Sequence, residues 1–146
     1  MDKNRDICFE FRRINNLIRR DIERSKINGE IDTSSFVHGW AIRYLYDNRE
    51  KEIFQKDIEK EFSIRRSTAS NILKLMEKNG LIERISVPYD ARLKKLTLTK
   101  KAVEIHEKVL INIRKREEKI RKNLTDEEIK TFFAITEKIA KSLEQN

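Results

Sequence analysis

The chain has 146 residues, of which 40% are charged and 38% hydrophobic, and its formal net charge is +8. It has no apolar run near the roughly 18 residues of a membrane span, no secretory apolar segment at its amino terminus, and one cysteine, which excludes an intramolecular disulfide. We therefore expect one cytoplasmic domain with no membrane partner, and three glycines and one proline favour long helices.

The first predicted helix spans residues 2–26. Its apolar residues recur at three- and four-residue spacing: Ile7, Phe11, Ile14, Ile18 and Ile22. Such a narrow stripe is typical of a helix that packs against another helix. Asn28 and Gly29 then break the pattern.

The second predicted helix begins at a capping residue among 33–35 and ends at about Asp47. Apolar side chains cover a wide arc of this helix. They are Phe36, Val37, Trp40, Ala41, Tyr44 and Leu45. We therefore expect this helix to be largely buried.

A short helix over residues 54–62 carries Ile58 inward and charged side chains outward, as the first helix of a helix-turn-helix does. Ser63 and Ile64 form the predicted turn, and an amphipathic run of about thirteen residues follows and ends at Gly80. Its predicted core face holds Ile72, Leu73, Leu75 and Met76. Its opposite, polar face holds Ser67, Thr68, Ser70, Asn71 and Lys74.

This polar face is typical of a helix that contacts base edges in a DNA major groove, where Ser, Thr and Asn pair with donors and acceptors. A solvated helix face usually carries Glu and Lys four residues apart, yet residues 67–73 contain no charge. Arg65 and Arg66 stand at the predicted helix start, which attracts phosphate through its free N–H groups. We therefore predict double-stranded DNA as the partner.

The distribution of charge supports this prediction. Residues 63–101 contain ten Lys and Arg against three Asp and Glu, whereas residues 1–62 contain thirteen of each and residues 102–146 contain ten and nine. The net positive charge is therefore concentrated in one segment, which is typical of a surface that contacts phosphates.

Two β-prone segments, residues 81–86 and 94–98, follow the glycine and are joined by a basic turn that contains the only proline. Helix, glycine and hairpin in this order predict a winged helix-turn-helix. Arg92 lies near the tip of the turn, and Lys94 and Lys95 lie on the returning strand. Lysines also protect exposed strand edges from pairing, so for these two lysines both interpretations stay open.

A long helix is predicted over residues 100–122, and residues 125–128 form a capping box that opens the last helix. The apolar residues of the last helix approach a heptad pattern: Ile129, Phe132, Phe133, Thr136, Ile139, Ala140 and Leu143. Neither the first nor the last helix has an obvious partner inside a winged module. We therefore expect these helices from two chains to bury each other in a homodimer.

Three motifs resemble those of the MarR family of bacterial transcriptional regulators. They are "DxR" at Asp90, Ala91 and Arg92, "LT" at Leu98 and Thr99, and "LExKGLIxR" over residues 76–84. The resemblance covers nearly the whole chain. One departure is Ala102, where many members have glycine.

The resemblance implies a mainly α fold with a small β-wing, in which residues 33–101 form the winged helix-turn-helix and residues 1–32 and 102–146 form dimerisation helices. It implies a homodimeric repressor that binds a palindromic operator and is released by a small-molecule effector. It makes the amphipathic helix that ends at Gly80 the recognition helix, which enters the major groove, and it places Arg92 in the adjacent minor groove, where negative potential is concentrated. Asp90 has the wrong sign for DNA contact and is expected to orient the wing.

Family members often bind small aromatic anions between the dimerisation helices and the winged module. Phe9, Phe36, Trp40 and Tyr44 are the candidate lining of such an effector pocket. Aromatic residues at helical spacing are more often part of a core, so both interpretations stay open.

One branch of the family senses organic hydroperoxides through a cysteine near the start of its first helix, and Cys8 resembles it, with Arg5 and Arg12 nearby. The tyrosines that hold the thiolate in that branch are missing from residues 32–36. A redox-sensing regulator is therefore an alternative function, and we favour a buried, apolar Cys8.

His38 and His106 are expected to be structural, because Leu110 occupies the position where a second metal ligand after His106 would lie. We expect no metal and no cofactor. The sequence has no nucleophile–base motif and no glycine-rich phosphate loop, so we expect that the protein is not an enzyme. A winged-helix module that binds RNA or protein remains an alternative, because the fold alone does not determine the ligand.

Overall fold

The structure, a computed structural model, describes residues 6–25 and 38–144. Its elements, in chain order, are α1 (Ile7–Arg24), α2 (Gly39–Asp47), α3 (Gln55–Glu61), α4 (Arg66–Lys78), β1 (Ile82–Val87), β2 (Asp90–Leu98), α5 (Lys100–Arg121) and α6 (Asp126–Glu144). The helix start predicted at residues 33–35, with Phe36 and Val37, lies outside the described residues. The chain divides into two compact units, residues 1–109 and 110–146, and the division falls within α5.

The predicted fold class, mainly α with a small β-wing, is confirmed. The thirteen-residue helix of the helix-turn-helix is α4. The two strands pair antiparallel, from Ile82 opposite Leu98 to Val87 opposite Asp90. The second strand begins four residues earlier than predicted. Residues 91–93 belong to this strand but have no paired residue on β1, so they form an irregular segment.

One hydrophobic core in the first unit joins α2, α3, α4, the hairpin and the start of α5. Its buried members are Ala41, Ile42, Leu45, Ile53, Ile58, Leu73, Met76, Leu81, Ile82, Leu96 and Ala102. Burying each large aliphatic side chain contributes about 1.5–3 kcal/mol, so this core holds the helix-turn-helix and the hairpin together. The prediction that Ile58 points inward is confirmed. In α2, Ala41, Ile42 and Leu45 are buried, whereas Trp40 and Tyr44 are half-buried.

The predicted core face of α4 is wrong at one position. Leu75 is 43% exposed, whereas Ala69, Leu73 and Met76 are buried. Consecutive helical residues are turned by about 100°, so Leu75 points roughly 200° away from Leu73 and lies on the polar side. Ile72 is half-buried at the edge of the core.

The turn between α3 and α4 is a Schellman motif with serine where glycine is usual. Ser63 has φ 48°, in the left-handed region. Its N–H donates to the carbonyl of Lys60 at 3.3 Å, and the N–H of Ile64 donates to the carbonyl of Glu59 at 3.0 Å. These two hydrogen bonds are the ones that define the motif. A residue with a side chain is strained here, because Cβ crowds the following carbonyl.

The recognition helix α4 ends in the same motif, here with glycine. Gly80 has φ 69°, its N–H donates to Glu77 O at 3.0 Å, and the N–H of Leu81 donates to Met76 O at 2.9 Å. A Cβ at this position would meet no atom within 4 Å. The glycine is therefore required by its backbone conformation and not by lack of space.

Ser63→Gly is expected to stabilise the fold by about 0.5–1 kcal/mol, because relief of left-handed strain exceeds the added freedom of the unfolded chain. Gly80→Ala is the matched control, with an expected loss of about 1 kcal/mol. The free energy of unfolding from urea titration measures both changes. A destabilised Ser63→Gly protein would show that the serine side chain contributes more than its strain costs.

The Leu98-Thr99 motif has a structural role at the start of α5. The hydroxyl of Thr99 donates to the carbonyl of Gly80 at 2.6 Å and accepts the N–H of Ala102 at 3.2 Å. The backbone N–H of Thr99 donates to the carbonyl of Leu81 at 3.0 Å. One threonine thus caps α5 and joins it to the loop after α4.

The first and last helices, α1 and α6, are both fully described and neither contains a buried side chain. Their exposed large apolar residues include Ile7, Phe11, Ile14 and Leu17 in α1, and Phe132, Phe133, Ile135 and Leu143 in α6. The predicted capping box of α6 is confirmed. Thr125 N–H donates to Glu128 at 2.8 Å, and the N–H of Glu128 donates to the Thr125 hydroxyl at 3.2 Å.

Candidate nucleic-acid interface

The predicted polar face of α4 is accessible. Ser67, Thr68, Asn71 and Lys74 are exposed, and Ser70 is half-buried at the edge of the face. The uncharged hydroxyl and amide groups of this face are therefore free to contact another molecule. Because Leu75 lies on the same side, the face also includes one apolar side chain.

The start of α4 is suited to an anion. Arg65 is its N-cap residue and provides no capping hydrogen bond, and the first turn contains no acidic residue. The first N–H groups of the helix therefore have no capping side chain, and the exposed Arg65 and Arg66 add two positive charges beside them. A helix start with free N–H groups binds phosphate through the helix dipole and through hydrogen bonds.

The wing is a hairpin with a two-residue turn, Pro88 and Tyr89. Among the described residues only Ser63 and Gly80 have positive φ, so this turn is not of the primed types that match the twist of two strands. The register shifts between Ser86 and Val87, and β2 accommodates the shift with residues 91–93. Arg92 lies in this irregular segment with 91% of its side chain exposed.

Asp90 holds both the backbone and the guanidinium group of Arg92. Its carboxylate accepts the backbone N–H of Arg92 at 2.9 Å, the Nε at 3.2 Å and the Nη2 at 3.4 Å. These hydrogen bonds lower the pKa of the Asp90 carboxyl group, mainly through the guanidinium group. The sequence prediction that Asp90 orients the wing has this geometry as its support.

Lys94 and Lys95 lie on the returning strand as predicted, and their side chains have different environments. Lys94 is exposed and its Nζ donates to the hydroxyl of Ser86 on the opposite strand. Lys95 is half-buried and pairs with Ile85. Lys94 thus has a cross-strand partner, which fits the interpretation of strand-edge protection.

A second contact, which the sequence does not predict, holds the wing to the connection between α2 and α3. The hydroxyl of Tyr89 donates to Glu52 Oε2 at 2.6 Å, and this hydrogen bond is the main cause of the raised pKa of Tyr89. Next to Glu52, the carbonyl of Ile53 accepts the N–H of Leu96 at 2.7 Å. No local pattern could predict the hydrogen bond between Tyr89 and Glu52, because these residues are 37 positions apart.

An ion pair joins the recognition helix to the wing. Arg84 Nε on β1 lies 3.4 Å from Glu77 Oε2 on α4. Both residues belong to the motif over residues 76–84. The motif therefore encodes the contact between α4 and β1, and the sequence alone did not reveal this role.

The structure brings together part of the candidate effector pocket. The rings of Trp40 and Tyr44 lie 4.1 and 5.7 Å from the ring of Phe62 at the end of α3. Phe9 is 63% exposed on α1, and Phe36 lies outside the described residues. Trp40 and Tyr44 are therefore packed on the winged module, and a pocket shared with Phe9 stays a prediction.

Cys8 is exposed, so the prediction of a buried, apolar cysteine is wrong. The physical reason is that α1 has no buried face in the single chain. The backbone N–H of Cys8 donates to the carboxylate of Asp6, which caps the helix.

His38 and His106 are both buried, and burial lowers the pKa of each imidazole. The ring of His106 packs against Tyr46 at 4.6 Å. Both histidines are therefore neutral at physiological pH and have the environment of core residues. Among residues 6–25 and 38–144, no group of three or more His, Cys, Asp and Glu side chains is placed to hold a metal ion.

A helix-turn-helix followed by a hairpin that extends Arg92 defines the class of winged helix-turn-helix proteins. None of the described helices is both long and apolar enough to cross a bilayer. A family model described as the MarR family matches residues 35–93. This match includes the helix-turn-helix and the first part of the hairpin, and over these residues the chain is similar to the MarR family.

Three solved structures illustrate the similarity. The regulator MarR from Oenococcus oeni PSU-1 is 29% identical, with 93% of this chain and 99% of that chain covered and a TM-score of 0.75. The heme sensor PefR from Streptococcus agalactiae, in complex with heme, is 26% identical, with coverage of 99% and 97% and a TM-score of 0.63. MepR from S. aureus, in complex with DNA, is 24% identical, with coverage of 98% and 100% and a TM-score of 0.78, and shows the fold alone. Comparison with curated protein sequences gives no match.

Proposed function

We propose that this protein is a homodimeric, sequence-specific repressor that binds a palindromic site in double-stranded DNA and is released by a small-molecule effector. One observation carries the proposal: α4 exposes a face of hydroxyl and amide side chains, Arg65 and Arg66 stand exposed at its start, and the hairpin that follows it exposes Arg92. Direct base contacts need such a face, and phosphate contacts need the flanking charges.

Each chain contacts the duplex in three ways in this proposal. Thr68, Asn71 and their neighbours on α4 enter the major groove and contact base edges. The start of α4, with its free N–H groups and Arg65 and Arg66, binds a phosphate. Arg92 enters the adjacent minor groove, where a narrow groove attracts a guanidinium group.

The dimer forms through α1 and α6. Both helices have exposed aliphatic and aromatic side chains at helical spacing, and exposed apolar surface of this extent marks an interaction site. Two-fold symmetry places the two α4 helices in successive major grooves, roughly 34 Å apart, so the operator is palindromic.

Regulation in this proposal is a change of spacing between the two α4 helices. An effector that binds more tightly to a dimer with another spacing lowers the fraction of dimers that match the operator. A small aromatic anion is the proposed effector, and Trp40 and Tyr44 are the candidate contacts. Occupancy of the operator blocks transcription until the effector binds.

Selection of bound fragments from a pool of random duplex DNA tests the proposal. We expect a symmetric consensus with half-sites about one helical turn apart. Single-stranded RNA and single-stranded DNA serve as competitors and should leave binding unchanged. An enriched sequence without symmetry, or displacement by RNA, would contradict a homodimeric duplex-binding regulator.

A further inference from the structure

The wing has a weak point near its tip. A two-stranded hairpin is only marginally stable by itself, and here the strand register shifts between Ser86 and Val87. Beyond this shift lie the turn and the irregular segment that carries Arg92. Strand pairing therefore fixes the base of the wing much better than it fixes the part that extends Arg92.

Two contacts compensate for this weakness. At the base of the wing, Leu96 N–H donates to the carbonyl of Ile53 at 2.7 Å. At the tip, the Tyr89 hydroxyl donates to Glu52 Oε2 at 2.6 Å. Glu52 and Ile53 are neighbours in the connection between α2 and α3, and Ile53 is buried in the core. The connection thus anchors the wing at both ends.

The tip contact lies one residue from the group that holds Arg92. Tyr89 precedes Asp90, whose carboxylate accepts three hydrogen bonds from the backbone and guanidinium group of Arg92. Arg92 is therefore linked to the core in three steps. Asp90 binds Arg92, its neighbour Tyr89 binds Glu52, and Glu52 is the neighbour of the buried Ile53.

We propose that Tyr89 is a positioning residue for DNA binding, which holds the wing through Glu52 so that Arg92 is presented to the minor groove before the duplex arrives. This inference rests on the proposed function. A long arginine side chain that is 91% exposed loses conformational freedom on binding, and a preorganised wing restricts the loss to the side chain itself.

Tyr89→Phe isolates the contact, because it removes one hydroxyl group and leaves the charge unchanged. For the consensus duplex we expect affinity to fall about three- to tenfold, as for the loss of one hydrogen bond on a solvent-accessible surface. Tyr46→Phe is the matched control. It removes a hydroxyl that donates to the Glu107 carboxylate at 3.3 Å and lies outside the wing, so affinity should not change.

Two substitutions of Glu52 distinguish the effect of its hydrogen bond to Tyr89 from the effect of its negative charge. Glu52→Gln removes a negative charge near phosphates but keeps an oxygen that accepts the Tyr89 hydroxyl, so affinity should be equal to wild type or higher. Glu52→Ala removes the same charge and the acceptor, so its affinity should be lower than that of Glu52→Gln. Equal affinities for the two variants would show that the acceptor is irrelevant.

A double-mutant cycle distinguishes positioning from direct contact. If Tyr89 acts through Arg92, Tyr89→Phe should have no further effect in an Arg92→Ala background. An undiminished effect in that background would overturn the proposal, since it would mean that the hydroxyl acts on DNA or on overall stability. Hydroxyl-radical protection of the flanking minor groove should weaken in Tyr89→Phe at saturating protein.

One measurement needs no DNA. Hydrogen exchange of the Arg92 amide in the free dimer should be faster in Tyr89→Phe than in wild type or Tyr46→Phe, because the wing opens more often. Unchanged exchange together with unchanged affinity would reject the role of Tyr89. A wild-type protein that binds no duplex specifically would reject the proposed function instead, so the two failures are distinguishable.

Discussion

Phe132→Glu is expected to convert the protein to a monomer and to lower affinity for the palindromic duplex by about 10²- to 10⁴-fold. Phe132 is 54% exposed on α6 and packs against Phe133 with ring centroids 5.5 Å apart. In the proposed dimer this surface is buried, and a carboxylate there is desolvated without a partner. Loss of the second half-site then removes the gain in affinity that linked binding provides.

Lys138→Glu is the control for this change, because it places a carboxylate on an exposed position of the same helix without altering its apolar stripe. Sedimentation equilibrium measures the oligomeric state, and titration of labelled duplex measures affinity. Circular dichroism should show unchanged helix content in both variants. A Phe132→Glu protein that remains dimeric and binds as tightly as wild type would exclude α6 from the interface.

Arg92→Ala is expected to weaken binding by about tenfold or more and to reduce the dependence of affinity on salt. The side chain is almost fully exposed and its removal leaves no cavity, so the fold should be unaffected. A cation held in the minor groove also releases counterions from the duplex, so loss of one such cation from each chain of the dimer should make the slope of log affinity against log salt shallower.

Arg92→Lys keeps the charge but not the planar guanidinium group, and it should show an intermediate affinity with nearly the wild-type salt slope. Titrations at several salt concentrations separate the two effects. An Arg92→Ala dimer that binds its duplex with unchanged affinity and slope would contradict the placement of the wing in the minor groove.

Local patterns made the recognition helix predictable. Apolar periodicity, the glycine at position 80 and the absence of charge over residues 67–73 are properties of adjacent residues, and α4 has the predicted length with most of its polar face exposed. The prediction for Leu75 is wrong because the sequence pattern alone does not determine the face of an apolar residue near the edge of a stripe. The capping box at Thr125 was equally predictable, since it depends on four consecutive residues.

The contacts that hold the wing could not be predicted in this way. Tyr89 and Glu52 lie far apart in the chain, and neither belongs to a motif. The burial of Cys8 was predicted wrongly because the stripe on α1 does not say whether its partner is the same chain or another. Sequence pattern gives the face of a helix, and only the tertiary structure shows what covers that face.

The ratio of affinities for the selected consensus duplex and for a scrambled duplex of the same composition tests the central claim most directly. Near physiological salt, about 0.15 M, we expect the purified dimer to prefer the consensus by about 10³-fold or more. Equal affinities for the two duplexes, or tight binding by a monomer, would contradict a dimeric regulator that recognises sequence through α4.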